Sequence, residues 1–318
     1  MDSNHANIHF GNNMDVLKEM ESGSVNLVYV DPPFNTGKIQ SRKRIETVRS
    51  EDGDRIGFKG HTYKTRVLGE QSFFDIYDDY IRFLRDRIEQ TERVLTSDGS
   101  FFLHLDYREI HYAKVMCDEV FGRESFINEI IWSYDYGGRS KSRWSAKHDN
   151  ILWYAKDPKN FTYRYDDIDR IPYMAPGLVG AEKAAKGKTP TDSWWHTIVS
   201  PNGKEKTGYP TQKPLGIINR IIRVHSNPGD VILDYFAGSG TTGIAALAEG
   251  RKAILVDNNR QALEVMCKRF DDKQTIFHNW DCKKTTINNT MGSIDAINPH
   301  STNDTKPHLH RCEQAQKR

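Results

Sequence analysis

Residues 31–34 read Asp-Pro-Pro-Phe and close the apolar run SVNLVYV at 24–30. Proline has no N–H to give a sheet, so the pair marks where a strand stops. An Asp-Pro step is also an ordinary turn starter, and taken alone the motif supports that reading about equally well. Its residue types nevertheless allow chemistry. The Asp31 carboxylate and the Pro32 carbonyl are two hydrogen-bond acceptors, Pro33 helps stiffen the loop that holds them, and Phe34 offers a stacking face.

A second constellation, VILDYFAGSGTTGIAA (231–246), is a strand, an acid and a glycine-rich turn that opens a small-residue helix. Glycines let backbone N–H groups approach a ligand, and the helix N-terminus adds a positive dipole end. No lysine follows Gly240 or Gly243, which excludes a phosphate-binding P-loop. Gly238-Ser239-Gly240-Thr241-Thr242-Gly243 fits the dinucleotide pattern G-x-G-x-x-G, and Asp257 stands 19 residues after Gly238 at a strand end, where a ribose-binding acid belongs. S-adenosylmethionine also presents a ribose to such an acid, so the turn alone leaves both adenosine compounds open.

These motifs need elements to hold them. Short apolar runs alternate with helical patterns, the signature of an α/β fold. Strands are expected at 24–30, 100–105, 128–134, 151–154, 230–234, 252–257 and 275–278. Phe73, Tyr77, Tyr80, Ile81, Leu84 and Ile88 share one face of a helix expected over 73–95. Further helices are expected at 107–121, from Pro214 onward, at 240–249 and at 260–269. Residues 38–70 read as a long charged loop, and 157–208, with scattered Pro, Gly, Lys and Tyr, as an inserted subdomain. Beyond about 283 the chain is polar and aperiodic, which predicts a flexible tail over 283–318.

The chain has 318 residues, of which 28% are charged and 11% aromatic, an ordinary globular composition. No apolar run approaches the roughly 20 residues of a membrane span. The opening MDSNHANIHF has no signal-peptide pattern, so a cytoplasmic protein is expected. Cys117, Cys267, Cys282 and Cys312 include no CxxC pair, which predicts reduced thiols and no zinc site. His308-x-His310-x-Cys312 sits in the polar tail, and no metal site is expected there.

Net charge is only +2, but residues 38–70 hold nine Lys/Arg against five Asp/Glu, and GGRSKSRWSAKH (137–148) is purely basic with a tryptophan in it. Basic stretches beside a candidate site suit a phosphate backbone. Arg139, Lys141, Arg143 and Lys147 are the candidate phosphate contacts, to be weighed against plain solvated cations. Trp194, Trp195, Tyr134 and Tyr136 read as core residues rather than base-stacking platforms.

The two constellations together resemble a known family. DPPF (31–34) and DYFAGSGTT (234–242) look like the catalytic and cofactor motifs of DNA amino-methyltransferases. TGYPTQKPLGIINRIIRVHSNPGDVILD (207–234), LTSDGSFFLHLD (95–106) and NEIIWSYDYGGRSKSRWSAKHDNILWYAK (128–156) are similar to its core segments. The resemblance covers about residues 8–280. With the catalytic motif first, it points to the permuted group called beta, the N6-adenine/N4-cytosine family. It implies a Rossmann-like S-adenosylmethionine-dependent fold with a mixed, mostly parallel sheet, circularly permuted, carrying an inserted target-recognition region. Residues 1–156 and 209–282 would then form the catalytic domain, and 157–208 the target reader.

The resemblance also implies roles. Asp31, Pro32, Pro33 and Phe34 would be catalytic. Asp234, Phe236, Ala237, Gly238, Ser239, Gly240, Thr241 and Asp257 would line the cofactor, with Thr211 and Lys213 near its methionine end. Adenine-N6 in DNA is the expected target and the cytosine-N4 amine the alternative; an NAD(P)-dependent oxidoreductase and a catalytically idle DNA-binding relative are rivals of other kinds. The expected partner is double-stranded DNA with a flipped base, and a homodimer and a cognate restriction endonuclease are further partners that the family suggests, in a bacterial, archaeal or phage setting. Two positions depart from the family pattern. Gly11-Asn12 stands where Gly-Asp is usual, which puts a cofactor role there in doubt, and Asp234-Tyr235-Phe236 replaces Asp-Pro-Phe.

Overall fold

The computed structural model describes residues 5–50, 52, 54–56, 61–75, 77–271 and 273–285. Strand β1 (Ala6–Phe10) and helix α1 (Asn13–Glu19) precede β2 (Val25–Val30). Three strands of a separate sheet follow: β3 (Lys38–Arg49), β4 (Arg55–Ile56) and β5 (Thr62–Asp75). Then come α2 (Tyr80–Val94), β6 (Leu95–Leu105), α3 (Ile110–Phe121), β7 (Phe126–Ser133) and β8 (His148–Ala155). Helix α4 (Ala181–Lys186) and the short β9 (Ser193–Trp195) lead to α5 (Leu215–His225), β10 (Val231–Asp234) and α6 (Thr241–Ala248). The described chain ends with β11 (Lys252–Asp257), α7 (Arg260–Arg269), β12 (Thr275–His278) and α8 (Cys282–Thr285).

Nine strands form the main sheet in the order β12-β1-β11-β10-β2-β6-β8-β7-β9. Neighbours from β12 to β6 are parallel, whereas β8 runs antiparallel to β6 and to β7. Successive strand residues point to opposite faces, so β2 sends Leu27 and Tyr29 into one core and Val28 and Val30 into the other. Helix α5 covers the first face with Ile217, Ile218, Ile221 and Ile222, joined by Leu263 and Met266 of α7. Tyr80, Leu84 and Ile88 of α2, at i, i+4 and i+8, cover the second with Ile110 and Met116 of α3. Each fully buried side chain of this size contributes about 1.5–3 kcal/mol relative to exposure.

Strands β10 and β2 are neighbours although about 200 residues separate them. The chain leaves β10 for β11 on one side and leaves β2 for β6 on the other, through helices on opposite faces. This is the topological switch point, where open α/β sheets bind ligands beyond the carboxyl ends of the strands. Asp31 follows β2 and Asp234 ends β10, so both sequence landmarks arrive there.

Four expectations need correction. The described residues within 38–70 are mostly strand and not loop: β3 and β5 pair antiparallel, from Lys38 opposite Asp75 to Arg49 opposite Tyr63. The helix expected over 73–95 starts at Tyr80, because Phe73 and Phe74 belong to β5 opposite Gln40 and Ile39, and the Asp79 carboxylate caps α2 by accepting from Arg82 N–H at 2.9 Å. Cys267 and Cys282 form a disulfide, their Cα atoms 5.7 Å apart, because the turn through β12 brings the chain back alongside α7; Cys117 is buried and free. Of the four aromatics read as core, Trp195 and Tyr136 are exposed, whereas Trp194 is buried and Tyr134 partly so.

Within 157–208, β9 extends the main sheet beside β7, and the Arg164 N–H donates to the Val224 carbonyl at 2.8 Å. Residues 1–282 form one compact unit; the tail beyond Thr285, with His308, His310 and Cys312, lies outside the described residues. No described helix is long and apolar enough to cross a membrane, and no cluster of metal-ligating side chains occurs among the described residues.

Candidate active site

The turn after β2 is braced from three sides. Lys213, in the segment before α5, forms an ion pair with Asp31 Oδ2, both side chains being largely buried. The same Nζ lies 4.9 Å from the centre of the Phe34 ring, a cation–π contact. Tyr80 donates its hydroxyl to the Pro33 carbonyl at 2.5 Å. Asn35, at φ +50°, accepts from the Tyr77 N–H at 3.2 Å and donates to Glu109 Oε1 at 2.8 Å. Asp31 Oδ1, by contrast, is buried with no hydrogen-bond partner. Such an acceptor costs about 1–3 kcal/mol when left unmet, so it is a strong docking point for a donor.

The glycine turn lies across the switch point. Gly238 and Gly240 have φ +52° and +75°, in the left-handed region that favours glycine. Asp234 holds this turn: Oδ1 accepts from the Phe236 N–H at 3.0 Å and Oδ2 from the Thr242 hydroxyl at 2.6 Å. Burial pushes the Asp234 carboxyl up to about 7, only partly opposed by these two bonds. Asp257 accepts from the N–H groups of Gly238 and Asn259, each at 2.7 Å, and burial raises it to about 6. Its neighbour Asn259, not Asp257, is the cap residue of α7. Arg269 of α7 donates to the Ser239 carbonyl at 3.0 Å and to the Thr241 hydroxyl at 2.9 Å. Thr241 donates in turn to the Lys213 carbonyl at 3.3 Å, tying the glycine turn to the segment that carries Lys213.

A buried polar chain runs behind Phe34. The Tyr29 hydroxyl meets His104 Nδ1 at 2.6 Å, His104 Nε2 meets Asp149 Oδ2 at 3.2 Å, and Tyr134 donates its hydroxyl to Asp149 Oδ1 at 3.1 Å. A carboxylate only accepts, so in the neutral imidazole Nε2 carries the proton and Nδ1 accepts from Tyr29. Burial pushes Asp149 up, but the bonds from His104 and Tyr134 and the Lys213 charge outweigh it and hold the group below the usual carboxylate range. The His104 ring lies 6.1 Å from that of Phe34. Tyr134 and Asp149 then face a cleft of about 360 Å³ that Asp106, Arg108, Arg143 and Lys147 also line.

Two turns therefore meet at one switch point, three carboxylates (Asp31, Asp234, Asp257) converge there, and a basic loop lines the cleft that Tyr134 and Asp149 face. Residues 25–268 match the model of the N6/N4 methyltransferase family, described as DNA methylase. The chain belongs to the DNA methylase family. It is 30% identical over 274 residues to the DNA adenine methyltransferase YhdJ of Escherichia coli K12, covering 82% of this chain and 81% of that one. It is 28% identical to the type II methyltransferase M.HpaI of Haemophilus parainfluenzae, covering 85% and 76%. Solved structures with the same fold include M1.HpyAVI in complex with S-adenosylmethionine, 20% identical with a TM-score of 0.54 over 84% of this chain and 99% of that one. The PvuII cytosine-N4-specific DNA methyltransferase, 15% identical, gives 0.57 over 89% and 91%.

In this DNA methylase the structure brings Asp31, Phe34 and Lys213 into one cluster and Asp234, Ser239, Thr241 and Asp257 into another around the turn. Thr211 is exposed; its neighbour Gln212 shapes the segment, accepting from the Thr207 N–H at 2.8 Å and donating to the Glu205 carbonyl at 2.8 Å. Arg143 and Lys147 line the cleft, Arg139 pairs with Asp135 at 2.6 Å, and Lys141 is exposed. Asn12 uses its side chain to cap α1, accepting from the Met14 N–H at 3.0 Å. Tyr235, where the family has proline, is buried and binds the Thr91 hydroxyl at 2.9 Å, joining the cofactor strand to α2.

Several residues escaped sequence reasoning. The His104–Asp149 pair is built from two strands that meet only in the sheet, and Tyr80 and Asn35 brace the Asp31–Phe34 turn from either end of the ribbon. Tyr209 lay inside a quoted motif, yet its place was not legible: burial first, then the charges of Asp257 and Asp31, hold its hydroxyl protonated, and a Cβ at Gly238 would come within 3.1 Å of its ring.

Proposed function

We propose that this DNA methylase transfers the methyl group of S-adenosylmethionine to the N6 amine of adenine in double-stranded DNA, with the target base flipped toward Phe34. The observation that carries the reading is the buried, unpartnered Asp31 Oδ1 on a turn held by Tyr80, Asn35 and Lys213. The donor set fits the cofactor: Asp257 suits ribose hydroxyls, and the carboxyl oxygens of Asp31 and Asp234 at the switch point suit a sulfonium and an ammonium. When bound, S-adenosylmethionine supplies an electrophilic methyl group.

The protein's own part is positioning. An aromatic amine is a weak nucleophile because its lone pair is delocalised into the ring. Asp31 Oδ1 and the Pro32 carbonyl, accepting from its two N–H bonds, draw the nitrogen toward a tetrahedral shape and free that pair. The nitrogen gains a methyl group and loses one proton, for which Asp31 Oδ1 is the acceptor at hand. Phe34 gives the base a stacking face. Arg139, Lys141, Arg143 and Lys147 support the DNA backbone, and residues 157–208 are our candidate for reading the target sequence.

The ribbon adds to the DNA surface. Lys64 and Arg66 of β5 are exposed, and the ribbon segment as a whole is rich in Lys and Arg. A two-stranded ribbon is narrow enough to enter the major groove.

Adenine is favoured over cytosine by the likeness to YhdJ, named a DNA adenine methyltransferase. Calorimetric titration with S-adenosylmethionine and with NAD, paired with transfer of a labelled methyl group to duplex DNA, tests the reading. Heat with S-adenosylmethionine alone and label in DNA support it; heat with NAD alone overturns it. Dimerisation and pairing with a restriction endonuclease remain proposals that the family suggests.

A further inference from the structure

The basic loop between β7 and β8 holds an indole that the fold does not use. Trp144 is 98% exposed, whereas Trp132, Trp153 and Trp194 are all buried. A tryptophan left in water gains nothing from folding, and Trp is enriched at interfaces, where its flat ring meets a partner. Its surroundings narrow the partner. Arg143 and Ser145, its two chain neighbours, line the cleft that Tyr134 and Asp149 face, while Trp144 itself stands outside that lining. Arg139, Lys141 and Arg143 precede it, and the exposed Tyr136 lies on the same loop. Cations that suit phosphates therefore carry a flat apolar group beside the lining of a cleft that reaches Phe34 through Asp149 and His104.

Resting on the DNA reading above, we propose that Trp144 is a wedge that enters the duplex and fills the space vacated by the flipped adenine. Base flipping breaks one pair and two stacking contacts, and apolar side chains inserted between base steps offset that cost. The indole offers the largest stacking area of any side chain and can also cover the orphaned partner base. The cations of the loop hold the phosphates while the ring is inserted.

The test compares Trp144→Ala, Trp144→Phe and wild type on two substrates: a matched duplex, and the same duplex with an abasic site opposite the target adenine, where flipping breaks no pair. The proposal predicts that Trp144→Ala is slower by 10- to 100-fold on the matched duplex and returns to within about 3-fold of wild type on the abasic one. Trp144→Phe should lie between. With 2-aminopurine at the target position, the fluorescence gain on binding should fall for Trp144→Ala on the matched duplex only. Equal losses on both substrates, or no loss on either, would overturn the wedge. A wild type that methylates neither substrate would instead overturn the DNA reading itself, and unchanged S-adenosylmethionine affinity reports that the variants are folded.

Discussion

The Asp31–Lys213 pair does two jobs with one carboxylate. Oδ2 is committed to the ammonium while Oδ1 stays buried and unmet. Removing one partner of a buried pair leaves an uncompensated charge, so Lys213→Met should cost about 3 kcal/mol of stability. Replacing both, as in Asp31→Leu/Lys213→Met, should cost less than the single change; denaturant melts of the three proteins check this, and additive costs would dissolve the pair. Asp234 gives a pH signature. Its folded value of about 7 lies above its ordinary 3.8, so the folded state holds the proton more tightly. That contribution is full below about pH 4 and declines as pH rises toward 7. Asp234→Asn cannot ionise, so the stability difference should shift in the variant's favour between pH 4 and 7 and stay constant above; a constant difference throughout would contradict the buried acid.

The elements explain which parts of the site were legible. Strands 24–30 and 252–257 announced themselves because buried parallel strands are continuous apolar runs, and the acids that end them followed directly. The ribbon did not, because its apolar residues are interleaved in the sequence with charged ones, so no strand period stands out. Nor did the boundary at Tyr80, since Phe73 and Tyr77 satisfy a helical period that β5 overrides. The glycine turn was legible as a ligand loop, but its packing was not. Gly240 combines φ +75° with a would-be Cβ only 2.8 Å from Phe270 and 2.9 Å from Met266. Gly240→Ala should therefore lose about 2 kcal/mol or more and weaken S-adenosylmethionine binding at least 10-fold, measured by melting and by titration.

Across the whole chain, the permuted order is reconciled by the sheet. Parallel strands β2 and β10 can be neighbours whatever their distance in sequence, so the Asp31–Phe34 motif that comes first and a glycine turn that comes about 200 residues later still share one crevice. The motif pair made the fold readable; the brace around it, from β6, β7, β8, α2 and α7, was not, because it consists of contacts between segments far apart. Although net charge is only +2, the ribbon and the 137–148 loop concentrate cations, so duplex affinity should fall steeply between 50 and 200 mM salt in a filter-binding series. A flat profile would take both out of the DNA surface. The role of Asp31 is tested by mass spectrometry of nucleosides from duplex DNA incubated with S-adenosylmethionine and either wild type or Asp31→Asn. That role predicts N6-methyladenine from wild type and at least a 100-fold loss in the variant with cofactor binding retained; no methylated nucleoside, N4-methylcytosine alone, or an equal yield from the variant would contradict it.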